Sequence, residues 1–124
     1  MKFLALTPMI QTEDMDETIR FYTEVLGFTL DNKDDGRGMA RLSKDHAAIV
    51  VSTPGEHEEI SKAIFTGSFY FRVDDADAAW EALRSKAAIC YPLETFEYGM
   101  REFAVYDNNG YILQFGREVD RKDY

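Results

Sequence analysis

The sequence predicts an α+β fold built from two tandem βαβββ modules, whose curled mixed sheets surround a cavity. Three observations carry that expectation. Short runs of alternating apolar and polar residues, rich in Val, Ile, Tyr and Phe, dominate the chain. Two longer stretches instead place apolar residues three and four apart, the spacing of a helix with one buried stripe. The two halves also repeat: an offset of 61 residues carries Asp14 and Asp16 onto Asp75 and Asp77 and Thr7 onto Ser68, and an offset of 64 carries SKDH (43–46) onto DNNG (107–110). Repetition on this scale marks a duplicated structural unit.

In the first module, FLALTPMIQ (3–11) reads as a strand interrupted by Pro8, which suits a sheet edge because proline has no amide hydrogen to give a neighbour. A helix is expected over 14–26, with Met15, Ile19, Tyr22, Val25 and Leu26 on its inner stripe. Asp14 and Glu17 resemble a capping box, and Gly27 supplies the left-handed stop. FTLDN, MARLS and AAIVVS follow as three strands, parted by the turn formers KDDGRG and KDH.

The second module repeats the plan. GSFYFRV is a strand, and DDADAAWEALRSKA a helix with Ala76, Ala79, Trp80 and Leu83 inward. AICYPL, REFAVY and YILQFG complete the sheet, DNNG forming the last hairpin. The boundaries read as module one over 1–52, a connection over 53–66 with a short helix at 58–65, module two over 67–118 and a tail over 119–124.

The totals bound the function. A chain of 124 residues is long enough for one domain with its own core, and a single cysteine, Cys90, allows no internal disulfide and no cysteine-rich metal cluster. No stretch reads as a secretory signal or membrane span, so a cytoplasmic location is expected. A formal charge of −9 repels phosphate backbones and anionic lipid, which argues against nucleic acid and membrane partners and favours cationic ligands. No Ser-His-Asp constellation, phosphate-cradling glycine loop or Cys-His pair occurs at a convincing spacing.

DETIRFYTEVLGF (16–28) and YGMREFAVYDNNGYILQFGRE (98–118) resemble the two signature stretches of the vicinal oxygen chelate superfamily, which spans glyoxalase I, extradiol dioxygenases, thiol transferases and bleomycin-resistance proteins. FRVDDADAAWEAL (71–83) is similar to the start of that family's second module. The closing stretch looks nearest to the bleomycin-resistance-like branch. Metal-dependent members hold a divalent ion with His and Glu side chains from four strands, and by resemblance those positions fall here on Thr7, Val50, Ser68 and Gln114. None is an imidazole or a carboxylate, and a hydroxyl, an isopropyl group and an amide do not replace such donors. No metal and no cofactor are therefore expected. His46 and His57 read as solvated loop histidines.

A buried glutamine must be satisfied or reserved for a ligand, so Gln114 either orients a polar guest together with Thr7 and Ser68 or bonds to its neighbours and closes the interior. Strand alternation puts Tyr70 and Arg72 beside Ser68, and Ile112 beside Gln114, with Phe69, Phe71 and Val73 under the helix. Met39, Tyr70, Tyr98 and Phe103 are expected to line the cavity, and Arg101 or its neighbour Glu102 to anchor a ligand there, a cross-strand ion pair being the alternative. The resulting expectation is a metal-independent protein that binds and sequesters a polar or cationic small molecule, as in antibiotic resistance, in a homodimer implied by the resemblance. A metal-dependent enzyme of the glyoxalase, dioxygenase or thiol-transferase kind is the alternative.

Overall fold

The computed structural model describes residues 1–54 and 64–120. The chain divides into two compact units, Met1–Ala63 and Ile64–Tyr124. In the first, β1 (Met9–Gln11), α1 (Met15–Arg20), β2 (Thr29–Asp34), β3 (Met39–Lys44) and β4 (Ala47–Ser52) succeed one another. In the second the order is β5 (Phe69–Arg72), α2 (Ala76–Leu83), β6 (Ala88–Phe96), β7 (Met100–Tyr106) and β8 (Ile112–Glu118). The expected α+β class and the two βαβββ repeats are thus present.

Each unit builds one four-stranded mixed sheet, ordered β1-β4-β3-β2 in the first and β5-β8-β7-β6 in the second. The first and last strands of each unit run parallel, because a helix carries the chain across between them; the remaining pairs are antiparallel. The repeat read from the sequence recurs in the hydrogen-bond register. Met9 lies opposite Val50 in one sheet and Tyr70 opposite Gln114 in the other, the same offsets of 61 and 64. Both sheets also slip register at matching places, between Leu30 and Asn32 and between Ile89 and Tyr91.

The helix starts obey local chemistry. Asp14 Oδ1 accepts the Glu17 amide at 3.0 Å, and Asp75 Oδ1 accepts the Ala78 amide at 3.0 Å. Gly27 ends the first helical stretch at a φ of 81°, a conformation glycine adopts without a side-chain clash. That stretch departs from the expected continuous α-helix, because Phe21–Val25 form a π-helical turn, with the Leu26 amide on the Phe21 carbonyl at 3.3 Å. The Thr23 hydroxyl donates to the Ile19 carbonyl at 2.8 Å, competing for the acceptor that its own amide would use in an α-helix. The first strand is also shorter than FLALTPMIQ suggested and begins only at Met9; Phe3, Leu4 and Leu6 remain exposed. Pro8 contributes only its carbonyl, to the Val50 amide at 3.0 Å, so the ladder has no donor to extend through it.

The second core is aromatic. Phe103 is fully buried, stacks on Phe115 at 5.3 Å and meets the edge of Trp80 at 5.3 Å, and Phe115 in turn stacks on Phe71 at 5.2 Å. α2 therefore covers the sheet face bearing Phe71, Phe103 and Phe115. The expected helix at 58–65 and His57 fall largely or wholly outside the described residues. Among those residues no helix is long and apolar enough to cross a membrane.

Candidate functional site

The face of the second sheet turned away from α2 carries a polar network that starts at the strand pairing. Tyr70 lies opposite Gln114, Gln114 opposite Ala104, Ala104 opposite Tyr91, and Glu102 between Gly116 and Glu94. Side chains alternate across a strand, so Ser68, Tyr70, Tyr91, Glu102 and Gln114 share this face. The turn between β6 and β7 brings Tyr98 to the same place.

Glu102 is the centre. Its side chain is 2% exposed, and its two carboxyl oxygens accept hydrogen bonds from three phenols. Tyr98 donates to Oε1, Tyr91 donates to Oε1 at 3.1 Å, and Tyr70 donates to Oε2. No ion pair to Glu102 occurs among the described residues. Its negative charge is therefore met by neutral donors, in an environment where each bond to a charged acceptor is stronger than a neutral one.

The donor inventory fixes the rest of the chain of bonds. A carboxylate only accepts, so the Tyr91 hydroxyl spends its hydrogen on Glu102 and must itself be approached by a donor. Gln114 supplies one, Nε2 standing 2.7 Å from the Tyr91 oxygen, which leaves Gln114 Oε1 to accept from the Ser68 hydroxyl. The question raised by Gln114 is answered on this face: both ends of its amide are bonded to neighbours, and it holds Tyr91 and Ser68 in place. It is a positioning residue.

The phenols respond to this setting. Desolvation, then the hydrogen bond and charge of Glu102, push the Tyr70 hydroxyl well above its ordinary value of 10.0. The same causes, in the same order, raise Tyr98. Tyr91 is raised chiefly by desolvation, with the Gln114 bond opposing. Phe96 completes an aromatic wall, stacking on Tyr98 at 5.3 Å and meeting Tyr91 edge-on at 5.8 Å. Tyr70 and Tyr98 keep 41% and 66% of their surface open, so their rings can be reached from solvent.

Of the expected site residues, Ser68, Tyr70, Tyr98 and Gln114 meet here. Thr7, Met39 and Val50 belong to the first unit. Thr7 precedes β1, half buried, and Met39 and Val50 border a hollow of about 210 Å³ with Asn32, Arg37 and Arg41. Two assignments are corrected. Phe103 lies in the helix-side core against Trp80, since it alternates with Glu102 along β7. Arg101 shares the helix side, where its Nε donates to Asp77 Oδ1 at 2.6 Å and a terminal nitrogen donates to Thr95 Oγ1 at 2.9 Å. The ion-pair alternative describes Arg101, with a partner on α2 rather than across the sheet.

Tyr91 was missed because of the bulge. Counting back along β6 from its turn with β7, where Glu94 faces Glu102, unbroken alternation sets Tyr91 opposite Val105 on the helix side; the slip between Tyr91 and Glu94 brings it opposite Ala104 and onto the open face instead. Counting back from the DNNG hairpin, which joins β7 to β8, places Glu102 opposite Gly116, and thus with Gln114, so that hairpin's register was the available signal for choosing Glu102 over Arg101. His46 sits exposed in the turn after β3. Among the described residues no three His, Cys, Asp or Glu side chains cluster closely enough to hold a metal ion.

Duplicated βαβββ units with a polar face on the second sheet define a glyoxalase-type fold. The sequence matches the model of the Glyoxalase/Bleomycin resistance protein/Dioxygenase superfamily over residues 5–115, and the chain belongs to that superfamily. Solved structures agree on the fold. A glyoxalase/bleomycin resistance protein/dioxygenase from Nocardioides superposes with a TM-score of 0.76 at 18% identity, covering 98% of this chain and 87% of that one. TioX from Micromonospora sp. ML1 gives a TM-score of 0.74 at 22% identity, over 94% and 100% of the two chains. A superfamily protein from Alicyclobacillus acidocaldarius gives 0.74 at 17%, over 94% and 92%. No curated protein matches the chain.

Proposed function

We propose that this protein is a metal-independent binding protein of the bleomycin-resistance kind, which sequesters a small organic molecule against the open face of its second sheet. The observation that carries the reading is the pair Ser68 and Gln114. By the family resemblance they stand at metal-ligand positions, yet here a hydroxyl and an amide bond to each other and lead to a carboxylate held by three phenols. Neutral groups satisfied in this way fix the shape of the face and hold its phenols in place for a guest; they supply neither the thiolate, imidazole or carboxylate set of a catalytic ion nor an activated nucleophile. Tyr70 and Tyr98 offer the accessible surface.

A thermal-shift screen of small polar and basic organic molecules, run with and without EDTA, tests this. A ligand at 100 times its Kd is expected to add about 2.7 kcal/mol of apparent stability, unchanged by the chelator. Stabilisation that disappears with EDTA would favour a metal-dependent member of the superfamily.

A further inference from the structure

Granting that this face binds an organic guest, we propose that the guest presents a quaternary ammonium group, seated against the rings of Tyr70 and Tyr98 above the Glu102 carboxylate. The inference names the ligand's chemistry and rests on the functional reading above.

The argument starts from an imbalance of charge. Glu102 is buried and has no cationic partner among the described residues, because Arg101, next to it in sequence, points to the other face and bonds Asp77. Arg72, the cation nearest on β5, pairs with Glu118 at 3.0 Å. Three phenol bonds satisfy the oxygens of Glu102 but cancel no net charge, so a negative potential persists at the face where the rings open to solvent. Aromatic faces are themselves electron-rich and attract a cation placed over them. A carboxylate surrounded by Tyr70, Tyr91, Phe96 and Tyr98 combines both attractions in one place.

Hydrogen-bond capacity then selects the kind of cation. The two oxygens of a carboxylate offer about four acceptor sites. Tyrosines occupy three. A primary ammonium brings three donors and a guanidinium five; beyond about one free carboxylate position the site offers them only the outer lone pairs of the Tyr70 and Tyr98 phenols, and each donor that reaches none of these loses water without replacement. A quaternary ammonium carries no N–H, needs no acceptor, and is weakly hydrated. It gains from the charge and the rings while leaving the phenol bonds intact.

Ligand-observed NMR titration of the full chain tests the inference with three probes: choline, 3,3-dimethyl-1-butanol, its neutral isostere of the same size, and ethanolamine, the smaller primary amine. The expected result is saturable binding of choline, at least about tenfold tighter than either comparison probe, the ratio that 1.4 kcal/mol of cation attraction gives. Glu102→Gln is expected to weaken choline about tenfold, and so is Tyr98→Ala, which alters an exposed turn and spares the core. Equal binding of choline and the neutral isostere would overturn the cationic assignment and leave the binding reading standing. Ethanolamine binding as tightly as choline would overturn the quaternary one. Failure of all three probes, with some other organic molecule stabilising the protein in EDTA, would overturn this inference alone. Failure of every organic molecule together with a chelator-sensitive stabilisation would overturn both.

Discussion

Phe103→Ala is expected to destabilise the protein by about 3–5 kcal/mol, read as a lowered urea midpoint with little change in ligand affinity. The ring is fully buried between Phe115 and Trp80, and both neighbours are fixed by the sheet and by α2, so the surroundings have little freedom to close the gap. The lost burial and the remaining cavity then add. A Phe103 that lined the ligand face would behave in the opposite way, with weakened binding and nearly normal stability. The variant therefore separates the observed placement from the one expected of the sequence.

Gly116→Ala is the second large effect, and it acts on the open face. A β-carbon at this position would lie 2.9 Å from Glu102 Cβ and 2.9 Å from Tyr70 Cζ, and closer still to the Tyr70 hydroxyl. Glu102 Cβ belongs to the paired strand and yields little, so the Tyr70 ring must leave. The expected cost is about 1–3 kcal/mol from overpacking, accompanied by loss of the Tyr70 to Glu102 bond. Spectrophotometric titration provides the specific readout. In the wild-type protein the raised Tyr70 phenol contributes stability that is complete below its ordinary value of 10.0 and is lost as pH climbs toward the folded value. In Gly116→Ala the Tyr70 phenol should titrate nearer that ordinary value, and alkaline unfolding should depend less steeply on pH. An unchanged titration would mean that Tyr70 does not depend on the space Gly116 leaves.

Much of this architecture was legible in the sequence because its signals are local and repeated. The aspartate caps at 14 and 75, the left-handed glycine at 27 and the offsets of 61 and 64 each have a short-range physical cause, and each recurs in the structure. What escaped depends on departures from regular geometry. Thr23 diverts a helix carbonyl, and the π turn that follows leaves no periodic trace in a pattern of apolar residues. Register slips on both sides of Tyr91 reverse its facing, so it was invisible while Tyr70, on a regular strand, was not. Arg101 and Glu102 show the limit most clearly. Alternation says that they face opposite ways, and only the register of the final hairpin says which way each one faces.

The central claim is that hydroxyl, amide and phenol groups around one buried carboxylate occupy the place where related proteins bind an ion. Native mass spectrometry tests it directly, on protein purified without added metal and then exposed in turn to equimolar zinc, nickel and manganese. The account predicts the mass of the bare polypeptide after desalting in every case, with a mass shift only when an organic ligand is added. One divalent ion per chain, retained through desalting and removed by a chelator, would contradict it.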